Sequence, residues 1–215
     1  MTAIRMARFP LALTVILGLA ACDPDETPPP GEDAEPESPA EDLDVAGLSS
    51  EQEAFWDALE DLCGEAFPSV GDEDEEDGEM VMHVRHCEEE EIQIPLHIGD
   101  DRSRTWIVTR QDEGLRLKHD HRYEDGTEED LTWYGGDTQD AGFPEAQDFY
   151  ADDETAEMLP EAAGNVWTME LEPGDTFVYQ LIRDGDMRAR WTFDLTDPVD
   201  PPPAPWGYED TEPTH

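Results

Sequence analysis

Lysine and asparagine are all but missing from this chain: Lys118 and Asn165 are the sole examples in 215 residues. Basic residues of any kind are scarce, 12 against 57 acidic ones, for a formal charge of −45. Phosphate backbones and anionic headgroups attract cations, so this balance excludes nucleic acid and anionic membrane surfaces as electrostatic partners. No apolar run after residue 21 is long enough to cross a bilayer as a helix. There is no Gly-x-Ser-x-Gly, no phosphate-binding glycine loop and no free cysteine in a basic setting, so no nucleophile can be assigned. Acid pairs occur everywhere, and spacing therefore singles out no general acid–base pair. No internal repeat is visible. Cysteine occurs three times, at Cys22, Cys63 and Cys87.

The first of these cysteines closes an apolar run. Arg5 and Arg8 precede a stretch from Phe9 to Ala21 that is broken only by Pro10 and Thr14. That is the charged and apolar pattern of a cleavable secretory signal, expected over residues 1–21. The run ends Leu19-Ala20-Ala21-Cys22, which resembles the bacterial lipobox. The resemblance implies a diacylglycerol thioether on Cys22, cleavage before it and acylation of the new amine. Several acyl chains anchor far more firmly than one. The expected location is the cell envelope, lipid-anchored to a bacterial membrane and facing the periplasm or the exterior. Asp23 accompanies inner-membrane retention in some lineages and surface display in others. Residues 22–48 mix prolines with acids and have almost nothing to bury, so a disordered tether is expected there.

Like charge on this scale drives a chain apart in dilute buffer. At molar salt the Debye length falls to about 3 Å and most of that repulsion is screened. The acid-rich, lysine-poor composition resembles that of proteins from salt-adapted organisms. An exported chain meets a compartment that permits disulfides. Cys63 and Cys87 are expected to pair, which would stabilise the fold by about 3 kcal/mol in the chain-entropy model. The alternative is two free thiols, one of them a metal ligand.

A helix is expected from Ser49 or Ser50, with Ser50 and Glu53 forming a capping box. Phe55, Leu59, Leu62 and Cys63 then share a face, and Gly64 ends the helix. Phe55 and Trp56 should pack on the main sheet. The acid run at 71–79 lacks the alternation and closing glutamate of a calcium loop and reads as a solvated loop. Strand patterns follow at 80–87, 92–98, 105–110, 115–123, 131–134, 166–171, 177–183 and 187–195. Asp112-Glu113-Gly114, Pro173-Gly174-Asp175 and Asp184-Gly185-Asp186 read as hairpin connections, and Asp125-Gly126 as another turn. A short helix around Asp153–Leu159 is stopped by Pro160. The proline-rich stretch 198–207 should run extended, with Trp206 pinning it, and 208–215 reads as a disordered tail. Short strands joined by hairpins predict a mainly β antiparallel meander. Closing it removes exposed edges. The expected fold is a small calycin-like barrel with one N-terminal helix, spanning 49–207; a β-sandwich or jelly roll is the alternative.

Five stretches carry a family resemblance: DRSRTWIVTR (101–110), LRLKHDHRYEDG (115–126), YGGDT (134–138), NVWTMELEPGDTFVYQLIR (165–183) and FDLTDPVDPPPAPWG (193–207). Together they resemble a family of uncharacterised bacterial secreted proteins and lipoproteins, over most of residues 50–207. The resemblance implies one extracytoplasmic domain and no particular chemistry.

The strand at 115–123 is the best candidate site. Alternation places Leu115, Leu117, His119, His121 and Tyr123 on one face, and Arg116, Lys118, Asp120 and Arg122 on the other. Two histidines two residues apart stand about 7 Å apart along a strand and can converge on one divalent metal. The pattern resembles the His-x-His strand of cupins, but Gly114 is one residue too close and no histidine follows the Pro173-Gly174 turn. A third ligand would have to come from His83, His86, His97 or an acid. Otherwise the pair packs at a barrel mouth or touches a non-metal ligand. His83, His86 and Cys87 form a second cluster, which loses its thiolate if Cys87 is oxidised. No cofactor is predicted outright.

The cations after the signal all lie between Arg85 and Arg190. Arg116, Lys118 and Arg122 share one strand face, and Arg188 and Arg190 share another. If those strands are neighbours they form a positive stripe, a site for a small anionic ligand. Otherwise they pair across strands with acids. Three readings of function follow. The first is a tethered β-domain that binds a small molecule, a glycan or an envelope protein. The second is a metal-assisted enzyme centred on His119 and His121. The third is a purely structural envelope protein.

Overall fold

The computed structural model describes residues 47–71 and 79–214. The signal, Cys22, the tether up to residue 46, the acid run at 72–78 and His215 lie outside the described residues. No helix among the described residues is long and apolar enough to cross a membrane.

The first described element is α1 (Ser50–Glu60), which starts where expected but is capped by the residue before the expected one. Ser49, not Ser50, is the N-cap: its hydroxyl accepts from the Gln52 amide at 3.2 Å, and the Gln52 side chain accepts from the Ser49 amide at 3.0 Å. Glutamine serves the reciprocal half of the box as well as glutamate. This frame also buries Gln52, whose Nε2 donates to Thr138 Oγ1 at 2.9 Å and to the Asp140 carbonyl at 3.0 Å. Phe55, Trp56 and Leu59 form the buried stripe. Leu62 and Cys63 fall in the turns beyond the helix, and Gly64, at φ 89°, closes them.

Eleven strands follow: β1 (Ala66–Val70), β2 (Met80–His83), β3 (His86–Cys87), β4 (Glu91–Ile98), β5 (Asp101–Gln111), β6 (Gly114–His121), β7 (Tyr134–Asp137), β8 (Ala146–Ala151), β9 (Asn165–Glu172), β10 (Thr176–Arg183) and β11 (Asp186–Asp194). The sheet order is β2-β1-β11-β10-β9-β8-β7-β6-β5-β4-β3, and β2 also pairs with β4. That last pairing closes a ring of 10 antiparallel strands. The fold is therefore a small β-barrel with one N-terminal helix, and not a sandwich or jelly roll. The three expected hairpins all form. At Asp184-Gly185 both residues have positive φ, 53° and 83°, as a two-residue turn matched to strand twist requires.

Five elements differ from expectation. The strand expected at 80–87 is broken at Val84–Arg85, where β3 takes over beside β4. The strand expected at 131–134 lies three residues later, as β7, because Gly135 and Gly136 are strand residues. A Cβ at Gly135 would collide with the Leu117 carbonyl, and one at Gly136 with the Tyr150 carbonyl. β1 and β8 had no expected counterpart. The tail is the fifth. Residues 208–214 are held against the outer wall: Tyr208 Oη donates to Asp120 Oδ2 at 2.6 Å, and the Thr214 amide donates to the Arg85 carbonyl at 3.1 Å. Polar composition suggests a free tail, but each of these residues finds a partner that strand backbones and buried Asp120 supply.

Helix α1 lies across one end of the barrel. Gly47 donates to the Asp112 carbonyl of the β5–β6 turn, and Cys63 is joined to Cys87 of β3 by the expected disulfide. The Arg110 guanidinium sits 4.7 Å above the Trp56 ring. Beneath the helix Phe149, Met169, Leu171 and Leu115 fill the interior. A second short helix, α2 (Asp153–Met158), and a 3₁₀ turn (Pro160–Ala162) sit at the opposite end. Thr155 pins α2 down by exchanging hydrogen bonds with the Gly135 backbone at 2.7 and 2.8 Å.

Candidate functional site

Strand β6 runs from the helix-covered end to the open one, and its inner face changes character on the way. Leu115 and Leu117 are wholly buried in hydrocarbon; His119 is buried; His121 is half-buried at the mouth. Alternation thus places both histidines inside, as expected. Tyr123 lies beyond the end of β6 and is 49% exposed, so it does not share their site.

The two imidazoles are held by tyrosines. His119 Nδ1 is 3.1 Å from the Tyr134 carbonyl, which can only accept, so Nδ1 carries the proton. Nε2 is then an acceptor, and the Tyr179 hydroxyl donates to it at 2.8 Å. Tyr134 stacks on the His119 ring at 4.6 Å, and its own hydroxyl meets His121 Nε2 at 3.0 Å. Burial pushes the His119 pKa down to about 3, against a smaller opposing effect from the Tyr134 carbonyl. Burial also lowers His121, helped by the Arg104 charge. It raises Tyr134 to about 12 and Tyr179 well above the ordinary phenol value. At neutral pH the cluster is uncharged: two neutral imidazoles and two protonated phenols.

Above this cluster a cavity of ≈ 380 Å³ opens at the barrel end. Its walls are Tyr134, Trp167, Tyr179 and Trp191, with Leu131, Leu159 and Leu181 among the apolar residues around them. Tyr179 and Trp191 are cross-strand partners with rings stacked at 5.2 Å, and Trp106 stacks on Tyr179 from below at 4.4 Å. Leu159 and Ala162 bring the α2 segment into the wall. His121, Glu129, Asn165 and Arg183 supply the polar atoms at the rim. Among the described residues no serine, threonine or cysteine lines the cavity.

The donor set does not fit a metal ion. Both ring nitrogens of His119 are committed to tyrosines, and no group of three His, Cys, Asp or Glu side chains among the described residues could hold one. The cluster of His83, His86 and Cys87 has lost its thiolate to the disulfide.

The positive stripe does not form either. Four strands stand between β6 and β11 on one side of the ring, so their cations are not neighbours. Each is paired instead. Arg116 grips Asp137 with two hydrogen bonds, 2.6 and 2.9 Å; Lys118 meets Asp152 at 2.7 Å and Glu154 at 3.0 Å; Arg122 meets Asp120 at 2.7 Å. Arg188 meets Asp186 at 3.4 Å and Arg190 meets Glu170 at 3.6 Å. Arg116, Lys118 and Arg122 therefore face outward and serve the fold, while His119 and His121 face the cavity.

The cavity residues of β9, β10 and β11 were absent from the expected site. Their signal was incomplete: the Asp184-Gly185 turn alone would set Tyr179 opposite Arg190, and an irregularity between Leu181 and Ile182 shifts the partner to Trp191. The resemblance drawn from the sequence motifs is to proteins without an assigned activity and adds no residue to this site. No protein-family model, no curated protein and no solved structure matches this chain.

Proposed function

We propose that this domain is a binding module that takes a small, flat, mostly apolar molecule into the barrel mouth. The cavity carries the reading: it has the volume of a small-molecule pocket, aromatic walls and a few polar atoms at one rim. Two neutral histidines and two protonated tyrosines favour an uncharged interior over proton-transfer chemistry, because a base is most effective when its pKa lies near the working pH. An acyl anchor on Cys22 and an acidic tether would hold the module at the cell envelope, facing the periplasm or the exterior, in a salt-rich medium that screens its charge.

The test is a titration of the full chain in high salt with 2-naphthamide, an uncharged planar probe, read by quenching of tryptophan emission. Saturable quenching that is lost in Trp191→Ala supports the module. Linear, unsaturable quenching removes it. The anchor has its own test: intact mass of membrane-extracted protein should begin at Cys22 and carry fatty acid, and a mature form starting elsewhere would refute it.

A further inference from the structure

We infer that the mouth selects an organic anion: a planar apolar body bearing one carboxylate, with the carboxylate on Arg183. The inference rests on the cavity being a ligand site, and it names the ligand class.

Cations are scarce in a chain with 12 basic and 57 acidic residues, and among the described residues the others have carboxylate or carbonyl partners. The cations of β6 and β11 are in ion pairs, as are Arg104 with Asp101 and Arg110 with Glu53. Arg85 and Arg102 bond to carbonyls of the tail, at Thr211 and Ala204. Arg183 differs. Among the described residues no carboxylate pairs with it, and its one hydrogen bond is from Nε to Asn165 Oδ1 at 2.6 Å. The two acids nearest in sequence are turned elsewhere: Asp186 to Arg188, and Asp184 against Gly164.

Its position fits a ligand contact. Arg183 ends β10 on the same parity as Tyr179 and Leu181, and all three line the cavity. Asn165 is 4% exposed and is the single asparagine of the chain. By accepting from Nε it fixes the plane of the guanidinium and leaves both terminal nitrogens for an acceptor. A guanidinium with that edge open matches a carboxylate with two parallel hydrogen bonds. The aromatic walls then take the body of the molecule. Glu129 also reaches the cavity, from the β6–β7 loop, with β7, β8 and β9 between it and β10 on that side of the ring. It forms no ion pair with Arg183 and would oppose an anion, so its removal should help binding.

Three probes with one ring system separate the outcomes: 2-naphthoate, 2-naphthamide and 2-naphthylmethylamine, titrated into the full chain in about 2 M KCl, where screening removes most of the long-range field. Naphthoate should bind about tenfold tighter than naphthamide, the scale of one charge-assisted pair. Arg183→Gln should erase that difference by weakening naphthoate more than naphthamide. Glu129→Gln should tighten naphthoate alone. Equal affinity for the acid and the amide, a preference for the amine, or an acid preference that survives Arg183→Gln overturns the anion assignment and leaves the cavity reading standing. Absence of saturable binding by all three overturns both. The wild-type comparison needs no variant, so it decides the matter even if Arg183→Gln fails to fold.

Discussion

At the end covered by α1 the barrel is filled with hydrocarbon: Phe55, Trp56 and Leu59 press on Phe149, Met169 and Leu171. At the other end Tyr134, Tyr179, Trp191 and His121 each carry a polar atom beside three leucines, and space is left between them. The same strands build both ends. A strand alternates its faces but can change composition along its length, so one sheet holds a solid stopper and an open receptacle. The difference assigns stability to one end and, on the proposed reading, recognition to the other.

Substitutions can break or sharpen that division. The largest effect should come from Phe55→Ala, which opens a void in close-packed hydrocarbon and should cost about 3–5 kcal/mol in denaturant unfolding. Trp191→Ala at the mouth removes a half-exposed ring and should cost far less. Equal losses would mean that the two ends share one core. Next is the Cys63–Cys87 bond. Replacing both cysteines with serine should cost about 3 kcal/mol. Hydrogen exchange should quicken in α1 and β3 while the mouth tryptophans keep their emission; a uniform response would contradict separate roles.

A smaller, pH-dependent effect belongs to the mouth. His119 has a folded pKa of about 3 because burial penalises its charge. Unfolded, it titrates near the ordinary value of about 6.5. Between those values the unfolded chain holds the extra proton, so the contribution is complete above pH 6.5 and falls as pH drops towards 3. The slope from this residue should reach about 1.4 kcal/mol per pH unit. His119→Gln should flatten the stability curve by that amount between pH 6 and 4, and an unchanged slope would place the imidazole in water. The smallest effect is Ser49→Ala, which removes the α1 cap and should cost about 1 kcal/mol with no change at the mouth.

Much of this architecture was legible in the residues. Period-two alternation in LRLKHDH placed both histidines inward, and Asp-Gly and Pro-Gly pairs located the hairpins. The misses have physical causes. In β1, Pro68 argues against a strand, yet on the β11 side it sits where the ladder is already broken, between the Ser69–Phe193 pair and the Ala66–Val199 bridge, while on the other side it pairs with Val81 of β2. β8 reads AQDFYA, with no β-branched residue, and it forms because neighbours on both sides need a partner. Gly135 and Gly136 look like strand breakers, but here bare backbone is what lets β7 approach its neighbours. The site was half legible for a different reason. Which face a residue takes is local information. Which strands meet across a ring is not, and so the residues left open a stripe joining Arg116, Lys118 and Arg122 to Arg188 and Arg190, whose strands do not adjoin.

Lys118 is the only lysine of the chain, and it holds Asp152 and Glu154 at the start of α2, the segment that brings Leu159 to the cavity. An amine-directed reagent thus finds a single side-chain target in this domain. Acylating that nitrogen would cancel the charge on which the first turn of α2 is docked. One chemical modification, with no mutation, would therefore loosen one wall of the receptacle and leave the stopper untouched.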